Sequence, residues 1–264
     1  MQDLKLSFLQ SDILWEDPEG NRSRFEKQIK KLPEGNDLIV LPEMFNTGFP
    51  VDPYEFAEEA EGPTFAWMYR MAAETGSVVS GSLMIEDDDR YYNCLVWMKP
   101  SGEYQTYYKR HVFHLGEESA FISKGNRRII CELKGWKICP MICYDLRFPV
   151  WVKNTYRDGA FEYDLLIFVA NWPEIRNYPW KQLLIARAME NQCYVLGVNR
   201  VGTDDKGMSY SGESMLLGAD GKILHACKAS VEEEITTSLS MQSLQDFRRS
   251  FNVGADWDEF NVRL

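Results

Sequence analysis

Histidine is scarce in this chain: His111, His114 and His225 are the only three in 264 residues. Zinc centres draw on closely spaced His and Cys ligands, so this supply argues against a metal site. Basic charge is in deficit as well. Against 40 Asp and Glu stand 29 Lys and Arg, a net charge of −11, which argues against a nucleic-acid binder or a partner of anionic membranes. No apolar run approaches the ~20 residues that a membrane span needs. The opening Met1-Gln2-Asp3-Leu4-Lys5 lacks a basic segment followed by an apolar one, so no secretory signal is expected and the cytoplasm is the expected compartment. Cys94, Cys131, Cys139, Cys143, Cys193 and Cys227 include no CxxC pair. Scattered through apolar runs, five of the six read as reduced core residues. Linkers, low-complexity stretches and solenoid repeats are lacking too.

What is present is a patterned globular chain, 45% apolar and 26% charged, long enough to bury a sizeable core. Leu4 to Gln10 alternates as a strand, and residues 21–32 read as a helix capped by Asn21. Asp37 to Leu41 reads as a buried strand, and residues 63–75 as a helix closed by Gly76. Ser77 to Glu86 and Tyr91 to Lys99 form a hairpin pattern across Asp87-Asp88-Asp89, with a further strand from Tyr104 to Tyr108. In the second half, strands are expected over 128–133, 137–142, 164–170, 194–199, 214–217 and 232–239. Helices are expected over 149–156, 180–191 and 243–251. Several strands are apolar on both faces, which predicts an α/β fold with helix-covered sheets. The chain reads as one domain over 1–264. Residues 240–264 form a C-terminal extension whose Trp257, Phe260 and Val262 suggest docking rather than a free end.

Chemistry-bearing residues fall at three strand ends. Cys143 follows the apolar run Ile138 to Ile142 and precedes Tyr144-Asp145-Leu146-Arg147. An apolar strand that ends in a cysteine and turns polar delivers a thiol to a helix start, where amides stabilise a thiolate and bind an oxyanion. Taken alone, such a cysteine is as well explained as small core filler. Glu43 and Lys109 change the balance. Each lies just past its own strand, and α/β folds build sites at carboxyl ends of strands. Taken singly they would be a solvated loop carboxylate and a surface lysine. A thiol, a carboxylate and an ammonium together make an acyl-transfer set: the thiol attacks a carbonyl, the carboxylate takes its proton and the cation steadies the oxyanion. A Cys-His dyad finds no comparable histidine, although His111 is two residues from Lys109.

Leu41-Pro42-Glu43-Met44-Phe45, Tyr108-Lys109-Arg110-His111-Val112-Phe113 and Ile142-Cys143-Tyr144-Asp145-Leu146-Arg147-Phe148-Pro149 resemble, in order and spacing, the three catalytic signatures of the nitrilase (carbon–nitrogen hydrolase) superfamily. Tyr144 to Pro149, Ala170-Asn171-Trp172-Pro173 and Ala186 to Gln192 resemble its ω-amidase branch, whose members deamidate 2-oxoglutaramate and 2-oxosuccinamate. The resemblance implies a four-layer α-β-β-α sandwich, usually a homodimer, with no metal or organic cofactor. It assigns Cys143 as nucleophile, Glu43 as general base and Lys109, with the amide of Tyr144, as oxyanion stabiliser. It also implies a second glutamate after the lysine. Glu117 and Glu118 adjoin there, and the spacing to Gly125 favours Glu118. A short oxo-acid amide needs a cation for its carboxylate, and Arg147 and Arg176 are candidates. Phe45, Phe49, Tyr144, Asn171 and Trp172 lie on segments expected to face the small-molecule substrate. The alternatives are a deaminated-glutathione amidase or carbamoylase with the same residues, a true nitrilase, or a non-catalytic binding protein on this fold.

Overall fold

The computed structural model describes residues 2–49, 52–114 and 118–262, and its strands sort by face according to the alternation in their sequences. The first half supplies β1 (Leu4–Gln10), β2 (Leu38–Val40), β3 (Val78–Asp87), β4 (Arg90–Met98) and β5 (Tyr104–Tyr108). The second half supplies β6 (Cys131–Leu133), β7 (Trp136–Ile142), β8 (Leu165–Ala170), β9 (Tyr194–Asn199), β10 (Met215–Leu217) and β11 (Ile223–Ala226). The late strand β12 (Glu233–Leu239) returns to the first sheet, whose order is β12-β1-β2-β3-β4-β5, with the short strand Glu58–Glu59 beside β3. The second sheet runs β11-β10-β9-β8-β7-β6. In the first sheet β1, β2 and β3 are parallel, with Leu6 opposite Leu38 and Leu38 opposite Val78. In the second, β7, β8 and β9 are parallel.

Alternation explains the layers. In β1, Leu4, Leu6 and Phe8 join the core between the two sheets, whereas Leu9 joins the core under the helices. Leu38 and Val40 of β2 point inward and Ile39 outward, and Leu95 and Trp97 of β4 oppose Cys94, Val96 and Met98 in the same way. The outward core is closed by α1 (Pro18–Ile29) through Phe25 and Ile29, and by α2 (Pro63–Thr75) through Phe65, Met68 and Met71. On the far side, α3 (Asn177–Asn191) lays Trp180 and Leu184 on the second sheet. That contact requires Gly197 in β9, where a Cβ would come within 2.6 Å of Leu184 and 2.8 Å of Trp180. The result is a four-layer α-β-β-α sandwich. No helix among the described residues is long and apolar enough to cross a membrane.

The C-terminal segment docks through α4 (Met241–Ser250), which buries Met241 and Leu244. Its Arg248 donates to Asp164 Oδ1 at 2.6 Å and to the carbonyls of Tyr163 and Gln192, both at 2.8 Å. Trp257 packs edge-on against Phe161 at 5.7 Å, while Phe260 and Val262 stay exposed.

Several expected boundaries move. The first helix begins at Pro18, capped by Asp17, whose Oδ1 accepts Gly20 N at 2.8 Å. Asn21 is instead buried inside it, and its amide pins Leu14 and the carbonyl of Asn46. The helix expected over 149–156 stops at Val152, because Asn154 leaves the helical path to bond Tyr163 and Asn191. The short hairpin of Val201–Thr203 and Ser209–Ser211 carries no strong sequence signal and went unforeseen.

Candidate active site

Four strands of the two sheets end at one place. Glu43 follows β2, Lys109 follows β5, Cys143 follows β7 and Asn171 follows β8. All four line a cavity of about 250 Å³, together with Glu118. The local backbone is made for this. After Glu43 the chain turns sharply at Met44, which has φ +47 and donates its N–H to Ser82 Oγ at 3.0 Å. Lys109 is held in place by its N–H to the Asn93 carbonyl and by Gly125 N, which donates to its carbonyl, both at 2.9 Å. Gly125 is needed for that approach, since a Cβ there would lie 2.0 Å from the Tyr108 carbonyl oxygen. Cys143 adopts φ +42, a left-handed conformation rare for a side chain with a Cβ, at the start of the 3₁₀ turn Cys143–Arg147.

Glu43, Lys109 and Glu118 form one buried hydrogen-bonded cluster. Lys109 Nζ donates to Glu43 Oε1 and to Glu118 Oε1, each at 2.9 Å. Glu43 Oε1 also accepts Asn93 Nδ2 at 2.7 Å, and its Oε2 accepts Asn171 N at 2.7 Å. Asn171 Nδ2 donates to the Glu43 carbonyl at 2.8 Å. Glu118 Oε2 accepts Phe113 N at 2.7 Å. Burial alone would lower the Lys109 ammonium, but Glu118 and then Glu43 outweigh it and hold the group well above the ordinary lysine range. Burial raises the Glu118 carboxyl, with Lys109 opposing.

The thiol behaves differently from the sequence expectation. Burial pushes Cys143 well above the ordinary cysteine value, the neighbouring Glu43 pushes the same way, and Lys109 opposes them. A single short 3₁₀ turn supplies too little dipole to offset the desolvation of a thiolate. A thiol raised in this way needs proton removal to react.

Of the residues expected to contact substrate, Tyr144, Arg147, Asn171 and Trp172 line the cavity, as do Phe49 and Arg176. Arg147 lies over the Trp172 ring at 4.8 Å and Arg176 over the Phe113 ring at 5.3 Å. Neither guanidinium has a carboxylate partner among the described residues. Phe45, expected at the substrate, does not line the cavity. The turn at Met44 carries it into the helix-facing core, where it packs between Phe25 and Trp67 at 5.6 Å from each. Glu117 lies outside the described residues. His111 does not line the cavity; its Nδ1 meets Asp145 Oδ1 at 2.8 Å. Asn93 and Asp145 were missed. Asn93 did leave a trace, a lone amide in the apolar run Cys94-Leu95-Val96-Trp97 of its strand. Tyr210 and Asp204, on the unforeseen hairpin, complete one wall.

The other thiols are core. All six cysteines are free and buried, and Cys139, four residues before Cys143 in β7, is fully enclosed. Cys139→Ala is expected to leave turnover and KM within about twofold of wild type while costing about 1 kcal/mol of stability through a small void. Steady-state kinetics and urea melts check both halves.

The carbon–nitrogen hydrolase family model matches residues 5–249, and the chain belongs to that family. Its relatives include the omega-amidase YafV of Escherichia coli (strain K12), 38% identical over 262 residues that cover 99% of this chain and 100% of the relative. The 2-oxoglutaramate amidase of Bacillus subtilis (strain 168) is 32% identical, covering 95% of this chain and 96% of its own. Among solved structures, XC1258 from Xanthomonas campestris, a CN-hydrolase superfamily protein with an arsenic adduct in its active site, matches with a TM-score of 0.97 at 39% identity over 100% of both chains. Nit3 of Saccharomyces cerevisiae shares the fold, with a TM-score of 0.83 at 23% identity over 96% of this chain and 95% of its own.

Proposed function

We propose that this chain is an ω-amidase that hydrolyses the terminal amide of short 2-oxo-acid amides, 2-oxoglutaramate and 2-oxosuccinamate, to the dicarboxylate and ammonia. The observation that carries the reading is the joint lining of one cavity by Cys143, Glu43, Lys109 and Glu118, beside Arg147 and Arg176. In this mechanism Glu43 takes the Sγ proton as the sulfur attacks the amide carbon. The oxyanion is held by the Lys109 ammonium and the Tyr144 N–H. Collapse breaks the C–N bond, the Glu43 carboxyl returns the proton to the departing nitrogen, and ammonia leaves an acyl-thioester. Glu43 then activates a water that hydrolyses the thioester, and the sulfur regains its proton. Glu118, which accepts from the same ammonium as Glu43, keeps it aimed. The two named amidases among the relatives support the substrate class.

A panel of 2-oxoglutaramate, 2-oxosuccinamate, ureides and simple nitriles, assayed for ammonia, tests this directly. Failure to release ammonia from either oxo-acid amide, with turnover of a ureide or nitrile, would overturn it. Within the same reading, Arg147 and Arg176 hold the substrate carboxylate. A charge-assisted hydrogen bond contributes about 1.5–3 kcal/mol. Replacing the responsible arginine by Met should therefore raise KM about 10- to 100-fold, with a smaller change in kcat. If both single variants keep wild-type KM, neither arginine binds the substrate. The reading also takes residues 1–264 as one hydrolase domain acting in the cytoplasm as a homodimer. Its C-terminal extension would contribute to packing, and light scattering on the chain with and without residues 256–264 tests that part.

A further inference from the structure

We propose that Asp145 is a positioning residue. Its buried carboxylate ties the Tyr107 hydroxyl and the His111 backbone, on either side of Lys109, to the Ile142 amide beside Cys143, and so sets the reach of the thiol toward the ammonium and Glu43. The proposal rests on the reading of Cys143 as nucleophile.

Asp145 is fully buried. Among the described residues His111 is the one basic side chain within ion-pair distance of it. A buried carboxylate is costly unless its lone pairs are filled. Here four partners surround the two oxygens. Oδ2 accepts the Tyr107 hydroxyl at 2.7 Å and Ile142 N at 3.2 Å. Oδ1 accepts His111 N at 3.0 Å and meets His111 Nδ1 at 2.8 Å. Tyr107 and His111 stand two residues before and two after Lys109, and Ile142 immediately precedes Cys143. One carboxylate thus clasps the strand end that bears the ammonium to the strand end that bears the thiol.

The clasp bears on the strained point of the site. A left-handed cysteine is disfavoured and persists only where its surroundings over-determine it. Asp145 supplies such a restraint by reaching back across Cys143 to the amide of Ile142. The far end of the clasp is anchored in turn, because the Tyr107 hydroxyl accepts Trp151 Nε1 at 2.9 Å. His111 is held flat against Phe148, with ring centroids 3.6 Å apart. An amide cannot replace the carboxylate. Asparagine accepts on one oxygen only, and its NH2 would face hydrogen-bond donors on the other side.

The test compares Asp145→Asn and Tyr107→Phe with wild type in the full chain. It reads kcat and KM on the amide that wild type turns over, alkylation of Cys143 by iodoacetamide followed by intact mass, and Tm. A displacement of about 1 Å costs on the order of 100-fold in rate, so Asp145→Asn should lose kcat on that scale with KM within about twofold. Its Cys143 should also alkylate more slowly at temperatures where the variant is folded. Tyr107→Phe removes one of the four partners and should lose about tenfold in kcat. A lowered Tm with wild-type kcat and alkylation rate would make Asp145 a purely structural residue and overturn the proposal. If Asp145→Asn does not fold, a wild-type kcat and alkylation rate in Tyr107→Phe overturns it equally. Failure of the nucleophile reading shows itself separately, as turnover retained by Cys143→Ala.

Discussion

Cys143→Ala is expected to reduce ammonia release to background, a loss of roughly 10⁵–10⁶-fold, with Tm changed little. The size of the loss follows from how the site is arranged. Burial and the adjacent Glu43 push the thiol well above its ordinary value, so in the proposed mechanism it becomes a nucleophile only as Glu43 removes the proton. Removing the sulfur leaves Glu43 and Lys109 able to polarise an amide and activate water, but without the covalent step that splits amide hydrolysis in two. Cys143→Ser should be nearly as inactive, because a serine hydroxyl is a much weaker acid than a thiol and Glu43 is a poor base for it. Little stability is at stake, since alanine adopts the left-handed conformation about as readily as cysteine and the deleted atom borders the cavity. An ammonia assay with a detection floor at 10⁻⁵ of the wild-type rate, alongside a mass-spectrometric search for the acyl-thioester in wild type, decides the matter. Turnover above one per cent in the alanine variant would remove Cys143 from the mechanism.

Much of this arrangement was legible in the sequence, and the parts that were not have a common physical origin. The expected bounds of β1, β5 and β9 agree with the structure to the residue, and in β1 the signal is period-two alternation, which faces Leu4, Leu6 and Phe8 to one core and Leu9 to the other. Glu43, Lys109 and Cys143 stood out as a set, because a carboxylate, an ammonium and a thiol at three strand ends make one acyl-transfer chemistry in segments that resemble the three family signatures. The misses depend on tertiary context. Phe45 looked like a pocket residue from its place beside Glu43, but its direction is set by the φ of Met44, which no local pattern announces. Asn21 looked like a cap because its amide type favours caps, yet Asp17 with Pro18 is the stronger start signal. Asp145 drew no attention as a chemical group, since its partners Tyr107 and His111 lie 38 and 34 residues away. A cysteine at a strand end suggests amides that favour a thiolate, whereas burial and the neighbouring Glu43 push this thiol the other way, which depends on tertiary context too.

Lys109→Met carries the other large effect, and it is double. Methionine fills much of the same volume but removes the one ammonium shared by Glu43 and Glu118. Loss of an oxyanion donor costs about 10²–10³ in kcat. The loss deepens because Glu43 no longer has the Lys109 ammonium to hold its Oε1 in place. Stability falls as well, since removing one partner of a buried ion pair costs about 3–5 kcal/mol. The sign of its pH dependence follows from the carboxyls. Burial already raises Glu118 against the pull of Lys109, and without that pull its carboxyl rises further above its unfolded value. A carboxyl raised in the folded state keeps its proton where the unfolded chain has released it, so stability is fullest at low pH and is lost as pH rises through the folded value. The variant should therefore show a smaller deficit against wild type in urea melts at pH 5 than at pH 8. Lys109→Arg restores the charge and should recover much of that pH 8 deficit. Its planar fork cannot reproduce the two 2.9 Å contacts of the ammonium, so its kcat should stay low. Equal deficits for Lys109→Met at both pH values would mean that the two glutamates are not held in the cavity by this lysine.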